Sequence, residues 1–494
     1  MLRMLTDTSF DALRDPTALA RPVCVAFDGT LVATPLFSER VALLFRQRPW
    51  VALALPFWML SGPAALKRRV AQSSKLDAAF LPYRRPLIAS LQACRDSGRK
   101  VVLAGSGDVE LAESVASHLG LFDSVQVTDP SVAASASAES LGAAFPQGFD
   151  YIGHSVADRP ALASATRGFL VAVGAGAASA LGDLKQVQVL SRRASILRAL
   201  IKELRPHQWA KNALVVVPAM LADTHSLSTL AYGVLAAGTF SLCASAGYVF
   251  NDLLDLDADR IHPSKANRPF ASGALPTIFG FPIFITLLLL SFSLALAFLP
   301  TAFVTMLALY FVGTVSYSLY LKRLLLLDVL VLAALYTHRI LAGGIASDVR
   351  VSAWLLGFSM FLFTSLAFAK RFVELHALTN DEQVRNRGYA RVDLPMVTGM
   401  GTASGYVAAL VFMLYVDSST VRAAYREPAL LWLVLPALLY WLGRIWLLAG
   451  RGQMQEDPVK FALSDRKSLT CVALIGAIVV TARFTPDWLV TLLR

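Results

Sequence analysis

Long apolar runs dominate the chain after about residue 195 and constrain its fold more than any other feature. A helix needs roughly 20 apolar residues to cross a bilayer core. Hydrophobic residues make up 56% of this chain, and its mean hydropathy is +0.56. We therefore predict an all-α polytopic membrane domain over residues 195–494 with about nine spans, at approximately 207–223, 227–250, 277–299, 302–320, 324–346, 352–371, 396–416, 428–449 and 468–492.

The first part of the chain has a different pattern. Short apolar segments at Val23–Phe27, Val101–Ala104 and Tyr151–Ile152 alternate with amphipathic stretches, a pattern typical of strands and helices in an α/β domain. We predict a soluble α/β domain over residues 20–185.

The basic residues indicate an orientation in the membrane. Lys and Arg concentrate before the first predicted span and after the second, fourth, sixth and eighth. By the positive-inside rule these segments and the N-terminal domain face the cytoplasm, and we expect the cytoplasmic (inner) membrane of a bacterium. The net charge of +11 then follows from topology and anionic ligands, and the sequence contains no nucleic-acid-binding module.

Two further observations agree with a cytoplasmic setting. The four cysteines are widely scattered and form neither a disulfide framework nor a metal-ligand spacing. The N terminus lacks a signal-peptide pattern, so insertion is expected to depend on the spans themselves.

Three acidic residues follow the second predicted span directly. Asp252, Asp255 and Asp259 are spaced i, i+3 and i+7, which places them on one face of a helix. Unpaired carboxylates at a membrane helix end repel one another and resist burial, and a hard cation such as Mg²⁺ prefers oxygen ligands. We predict that this trio is both the metal site and the catalytic centre for a diphosphate; the alternative is a solvated acidic turn.

The same segment and the later helix ends supply candidate cations for phosphate oxygens. Arg339 lies mid-span, where a charge is costly unless it faces a polar cavity, so we favour a ligand-facing role over a structural ion pair. Lys370 and Arg371 either bind a phosphate or anchor the helix at the membrane face. The predicted substrate-binding residues are Lys211, Asn251, Arg260, His262, Lys265, Arg268, Lys322, Asp328, Arg339, Lys370 and Arg371.

These motifs resemble a known family. Asn251, Asp252, Asp255 and Asp259 match the NDxxDxxxD signature of the UbiA superfamily of intramembrane prenyltransferases, in which the acids bind Mg²⁺ and the substrate diphosphate. Further segments resemble the decaprenyl-phosphate phosphoribosyltransferase branch: RPHQWAKN at Arg205–Asn212, HPxK at His262–Lys265, YSLYLKR at Tyr317–Arg323 with Asp328, and AKRFVEL at Ala369–Leu375. The segment around Asp328 contains no clear second DxxxD motif, so the number of metal ions stays open.

The resemblance implies transfer of phosphoribosyl from phosphoribosyl pyrophosphate to a polyprenyl phosphate. An aromatic prenyltransferase, moving a polyprenyl group from prenyl diphosphate to an acceptor such as 4-hydroxybenzoate, is the alternative, because both reactions use one diphosphate-ionising site. A non-catalytic lipid carrier is a third interpretation, and the intact acids argue against it.

The N-terminal domain resembles haloacid dehalogenase-like phosphatases. CVAFDGTLV at Cys24–Val32 is similar to their hhhDxDGT motif, but Ala26 stands where the family has its nucleophilic Asp, and Asp28 is the second acid. Ser106 is a displaced match to the second motif, residues 129–148 contain no Lys or Arg, and GHSVAD keeps Asp158 but has His154 at the first acid. A methyl group cannot attack phosphorus, so we predict a degenerate pseudophosphatase; an active phosphatase is the alternative.

Overall fold

A computed structural model describes residues 10–14, 19–52, 54–128, 133–222, 226–262, 264–378, 388–454 and 458–484. The chain forms two compact units. The first comprises Met1–Leu204 with Tyr248–Phe284, and the second comprises Arg205–Gly247 with Ile285–Arg494. The acidic segment thus packs with the N-terminal region, an arrangement that a linear division of the chain at residues 185–195 does not anticipate.

A six-stranded parallel sheet forms the centre of the first unit. Its order is β3-β2-β1-β4-β5-β6, with β1 paired to β2 from Val23↔Val101 and to β4 from Val23↔Asp150. The three predicted strands are confirmed as β1, β2 and β4. The strands are β1 Val23–Ala26, β2 Val101–Ser106, β3 Ser124–Thr128, β4 Asp150–Gly153, β5 Arg167–Leu170 and β6 Val187–Val189.

Apolar side chains cover both faces of this sheet. Val25 of β1 belongs to one core cluster and Cys24 to another, because successive strand residues point to opposite faces. Burial on both faces is typical of parallel sheets flanked by helices. The helices of the N-terminal region are α1 Leu36–Gln47, α2 Pro49–Ala52, α3 Leu55–Met59, α4 Pro63–Ser73, α5 Arg85–Asp96, α6 Val109–Leu119, α7 Ala134–Ala144, α8 Arg159–Ser164, α9 Ala175–Ala180 and α10 Ile196–Leu204.

Helices make up the rest of the chain. A 3₁₀ helix at Pro206–Val215 precedes α11. The α-helices that follow are α11 Val217–Leu221, α12 Leu227–Leu254, α13 Leu256–Ile261, α14 Gly280–Phe298, α15 Thr301–Leu319, α16 Leu327–Ala346, α17 Ala353–His376, α18 Leu394–Val416, α19 Ser419–Ala424, α20 Val434–Gly450, α21 Pro458–Ser464 and α22 Arg466–Arg483.

Seven helices in the described part of the chain are long and apolar enough to cross a membrane, and they make the protein an integral membrane protein. They are the helices α12, α14, α15, α16, α17, α18 and α20. The predicted count of nine spans is therefore corrected for the described residues.

The first and last predicted spans account for the difference. The span at 207–223 is broken into the 3₁₀ helix Pro206–Val215 and the five-residue α11, and Pro218 inside α11 lacks the N–H of a continuous helix. The span at 468–492 corresponds to α22, whose described part carries Arg466, Lys467 and Arg483; residues 485–492 lie outside the described residues.

Close packing in the second unit depends on a small residue in α16. A Cβ atom at Gly343 would lie 2.0 Å from the carbonyl oxygen of Val215. Glycine therefore allows the backbone before α11 to approach α16 directly, as small residues do between membrane helices.

Candidate active site

The acidic segment lies at the junction of α12 and α13. Asp252 is in the last turn of α12, Asp255 lies between the two helices, and Asp259 is in α13. Backbone N–H groups of Asp255 and Asp259 donate to the carbonyl oxygens of Asn251 (2.9 Å) and Asp255 (2.8 Å). The i→i−4 hydrogen bonds thus continue across the junction and keep Asp252 and Asp259 on one side.

Two of the acids converge on a single cation. Nη1 of Arg268 donates to Oδ1 of Asp252 (2.9 Å) and to Oδ2 of Asp259 (2.6 Å). Both aspartates are buried, each with 2% of its surface exposed, and Asp255 is partly exposed. The arrangement places two carboxylates on one guanidinium, whose single positive charge offsets only part of their negative charge.

Carboxylate oxygens are ligands that Mg²⁺ prefers, and two of them here already share one positive centre. Among the described residues, no group of three or more His, Cys, Asp or Glu side chains is assembled closely enough to hold a metal. The structure thus brings Asp252 and Asp259 together and does not collect all three acids at one point.

Burial changes the acidity of Asp259. Its desolvation raises the pKa of this carboxyl above the ordinary value, and the neighbouring Asp252 raises it further. The Arg268 guanidinium and, more weakly, Lys265 oppose this increase. The charge state of Asp259 therefore depends on a nearby cation.

The other candidates of this segment are placed differently. Arg260 turns away from the acids and forms a buried ion pair with Glu39, with its Nη2 2.8 Å from Oε2. His262 and Lys265 are exposed, and Asn251 is partly exposed. Of the predicted phosphate ligands here, the structure brings Arg268 to the acids and gives Arg260 another partner.

The second unit contains a buried ionic cluster of its own. Nε of Arg371 lies 3.0 Å from Oδ2 of Asp328, an ionic contact rather than a hydrogen bond, and Nη1 of Arg371 contacts Glu374. The Tyr389 hydroxyl donates to Oδ1 of Asp328 at 2.9 Å. Only 1% of the Arg371 side chain and none of the Asp328 side chain is exposed. These two predicted substrate-binding residues therefore neutralise each other.

Arg339 in α16 has neutral partners. Its guanidinium donates to Oδ1 of Asn212 (3.0 Å), the hydroxyl of Tyr310 (2.9 Å) and the carbonyl oxygen of Leu335 (2.7 Å). It also lies over the rings of Tyr310 and Tyr336, at 4.8 and 5.2 Å from their centroids. The structure thus shows a buried cation in a polar, aromatic environment rather than an ion pair.

The remaining predicted cations of the second unit are partly exposed. Lys211 lies over the ring of Tyr336 at 5.9 Å. Lys322 is in a 3₁₀ turn at Leu321–Arg323, and Lys370 precedes Arg371 in α17.

A third polar group follows the strands β1 and β4. Asp28 accepts a hydrogen bond from the backbone N–H of Leu36 (2.8 Å), and burial raises its pKa. Nδ1 of His154 is 3.0 Å from the Thr30 hydroxyl and 3.5 Å from Asp158, and burial lowers the pKa of the imidazole. Asp158 also caps the turn by accepting the backbone N–H of Ser155 at 2.9 Å.

The imidazole fills the space above the loop after β1. A Cβ atom at Gly29, where φ is +73°, would lie 2.2 Å from Nε2 of His154. Ala26 is the last residue of β1, and Ser106, the last residue of β2, is exposed.

The sequence did not indicate the residues of α1 that contact α13. Arg46 and Glu39 of α1 contact Asp257 and Arg260 of α13. The only signal was the i, i+3 spacing of Asp257 and Arg260, and nothing in the sequence indicates partners more than 200 positions away.

The seven long apolar helices define a helical integral membrane protein, and comparisons with known proteins identify its family. The UbiA prenyltransferase family model matches residues 213–466. The chain belongs to the UbiA prenyltransferase family.

Two relatives and one solved structure are similar to this chain over different shares of its length. The chain is 35% identical over 473 residues to "Uncharacterized protein y4nM" of Sinorhizobium fredii, covering 93% of this chain and 91% of that protein. It is 31% identical over 188 residues to decaprenyl-phosphate phosphoribosyltransferase of Mycobacterium tuberculosis, covering 37% of this chain and 62% of that protein. The structure of a UbiA homologue from Archaeoglobus fulgidus bound to DMAPP and Mg²⁺ matches with 14% identity and a TM-score of 0.43, covering 57% of this chain and 99% of that one.

Proposed function

We propose that this membrane transferase moves a phosphoribosyl group from phosphoribosyl pyrophosphate to a polyprenyl phosphate, with Mg²⁺ as cofactor. The observation that carries the proposal is the convergence of Asp252 and Asp259 on one cationic nitrogen. The similarity to decaprenyl-phosphate phosphoribosyltransferase supports this choice of donor and acceptor.

In the proposed reaction, an oxygen of the polyprenyl phosphate attacks the anomeric carbon of the donor. The bond from that carbon to the pyrophosphate oxygen breaks, and pyrophosphate leaves with the bonding electrons. Asp252, Asp255 and Asp259 would hold Mg²⁺, which when bound supplies positive charge to the leaving pyrophosphate.

The cationic side chains of the chain have the complementary role. Arg268 binds both buried acids and offsets part of their charge, and Lys265 on the same segment adds positive charge close to Asp259. We assign Lys265 and Arg268 to the phosphate oxygens, because donors that stabilise developing charge in a low-dielectric site lower the barrier. By the positive-inside rule we place this site and the N-terminal unit on the cytoplasmic side of a bacterial inner membrane.

An aromatic prenyltransferase is the second candidate, favoured by the description of the matching family. The test offers the purified protein two substrate pairs, phosphoribosyl pyrophosphate with polyprenyl phosphate and prenyl diphosphate with 4-hydroxybenzoate, each with and without Mg²⁺. We expect Mg²⁺-dependent product from the first pair; product from the second pair alone would reverse the assignment.

Replacing Arg268 with Gln is expected to move the acidic limb of the pH–rate profile to higher pH. Arg268 lowers the pKa of Asp259, so its removal favours the protonated carboxyl, which cannot ligate a metal. The R268Q variant should therefore reach its full rate only at a higher pH than the wild type does. An acidic limb at the wild-type position, measured by initial rates between pH 5 and pH 8, contradicts this assignment.

We also propose that the α/β region is a degenerate haloacid dehalogenase-like module without phosphatase activity. Ala26 offers no nucleophile, and the His154 imidazole lies against Gly29, in the loop that carries Asp28. The module therefore lacks both a group to attack phosphorus and open space above this loop.

Restoring the missing acid alone is expected to have no effect on phosphatase activity. An Ala26→Asp variant still has His154 over Gly29 and has no Lys or Arg in residues 129–148. Phosphate release from a phosphoribosyl lipid should stay at the level of the unmodified protein. Robust turnover by A26D would show that the rest of the phosphatase site is intact.

A further inference from the structure

Helix α1 of the α/β region contacts helix α13 through a two-point ionic contact. Nη1 and Nη2 of Arg46 donate to Oδ1 and Oδ2 of Asp257 at 2.9 and 2.7 Å. This fork-to-carboxylate geometry is the strongest form of side-chain ion pair. The Arg46 side chain is 14% exposed and that of Asp257 is 32% exposed.

One turn further along α13, a second ion pair is fully enclosed. Oε2 of Glu39 accepts from Nη2 of Arg260 at 2.8 Å, and the two side chains are 2% and 6% exposed. Nη1 of the same arginine donates to the carbonyl oxygen of Phe80 at 2.7 Å. Oε1 of Glu39 also accepts from the hydroxyl of Thr277 at 3.3 Å, so one carboxylate contacts both α13 and the 3₁₀ turn Thr277–Phe279 before α14.

The spacing explains how two helices form both pairs. Glu39 and Arg46 are seven residues apart and lie on one face of α1, and Asp257 and Arg260 are three apart on α13. The charges are complementary at both positions. Beyond α13, the ring of Phe45 stacks on that of Phe281 with centroids 4.1 Å apart.

Helix α13 has only six residues, and isolated helices shorter than about 12 residues are marginal in water. Its orientation therefore depends on contacts outside itself. Asp257 and Arg260 are held by α1, while Asp259 of the same helix meets Asp252 at Arg268.

We propose that the α/β region acts as a clamp on α13, in which Glu39 and Arg46 are positioning residues for the aspartate site. The inference rests on the proposed function in taking that site to be the metal–diphosphate site. It gives a module without phosphatase chemistry a role in the transferase reaction, namely holding Asp259 where it shares a cation with Asp252.

The test is a charge swap in the full-length protein. Arg46→Glu places its carboxylate opposite that of Asp257. We expect the backbone amides of Leu256–Ile261 to exchange with deuterium about tenfold faster, because a partly buried bidentate pair is lost. Adding Asp257→Arg recreates the pair with reversed charges and should return exchange close to the wild-type rate.

A second readout measures the site itself. Mn²⁺ binding in the presence of pyrophosphate, followed by electron paramagnetic resonance, should weaken about tenfold in R46E and recover in R46E/D257R. The matched control is Arg159→Glu, which breaks the exposed Arg159–Asp183 pair of the same module and should change neither readout.

The outcomes separate the two proposals. Equal Mn²⁺ binding by the wild type and D252N contradicts the metal assignment and with it the proposed function. If D252N loses binding but R46E exchanges and binds like the wild type, the clamp is wrong. The clamp is also wrong if R159E accelerates deuterium exchange as much as R46E does. It is likewise wrong if R46E/D257R recovers neither the exchange rate nor the Mn²⁺ binding of the wild type.

Discussion

Asp252→Asn and Asp255→Asn are each expected to lower the rate of transfer by at least about two orders of magnitude, the usual effect of losing one group that stabilises leaving-group charge. The substitution keeps the size of the side chain but removes the negative charge that attracts a metal. For Asp252 it also weakens the contact with Arg268 at 2.9 Å. Initial rates of phosphoribosyl transfer at saturating Mg²⁺ measure the effect.

The control for this prediction is Asp417→Asn. Asp417 is an exposed acid of the second unit that pairs with Arg422, and its substitution should leave the rate unchanged. The melting temperature of each variant shows that the protein remains folded. Wild-type rates in both D252N and D255N would remove these acids from the reaction.

Arg371→Met is expected to cause the largest loss of stability of the variants proposed, about 3–5 kcal/mol, because it removes the guanidinium that lies against the buried carboxylate of Asp328. The Asp328 side chain is completely buried, and the hydroxyl of Tyr389 is a neutral partner that does not replace the guanidinium. Unfolding of the purified protein with increasing denaturant in mixed micelles measures the free-energy change.

Two further variants identify the cause. Arg371→Met combined with Asp328→Leu removes both charges and should recover most of the lost stability. Arg422→Met breaks an ion pair whose side chains are 64% and 73% exposed, and it should cost at most about 1 kcal/mol. Equal losses for R371M and R422M would contradict the structural role of the buried pair.

Local patterns predicted the parts of the fold that depend on them. The short apolar segments at Val23–Ala26 and Val101–Ser106 identified strands of the sheet, and long apolar runs located the long helices. The count failed at the first span because the chain there forms a 3₁₀ helix, Pro206–Val215, followed by the short α11 with Pro218. An average over a window conceals this break.

Side-chain partners were predicted less well than elements. Arg260 follows the acids in sequence and was expected to bind phosphate, but Glu39 lies 221 positions away and pairs with it. Asp328 and Arg371 were also assigned to substrate, and the structure shows them in contact with each other; their role toward a substrate stays a prediction. A charged residue is matched to its partner by tertiary packing, and a single sequence carries no signal of that packing.

The spacing of the acids was more informative, because it depends on helical geometry within one segment. Asp252 and Asp259 are seven positions apart, and the structure brings both to Arg268 across the junction of α12 and α13. Asp255 falls at the junction itself, where the backbone departs from the helix. That local break is the part of the site that spacing alone did not indicate.

We expect the aspartate segment to bind a divalent cation together with a diphosphate. Titration of the purified protein with Mn²⁺, with and without pyrophosphate, tests this directly through the electron paramagnetic resonance signal of free Mn²⁺. We predict saturable binding that pyrophosphate strengthens and that D252N abolishes. Binding that is indifferent to pyrophosphate, or that D252N retains in full, would contradict the claim.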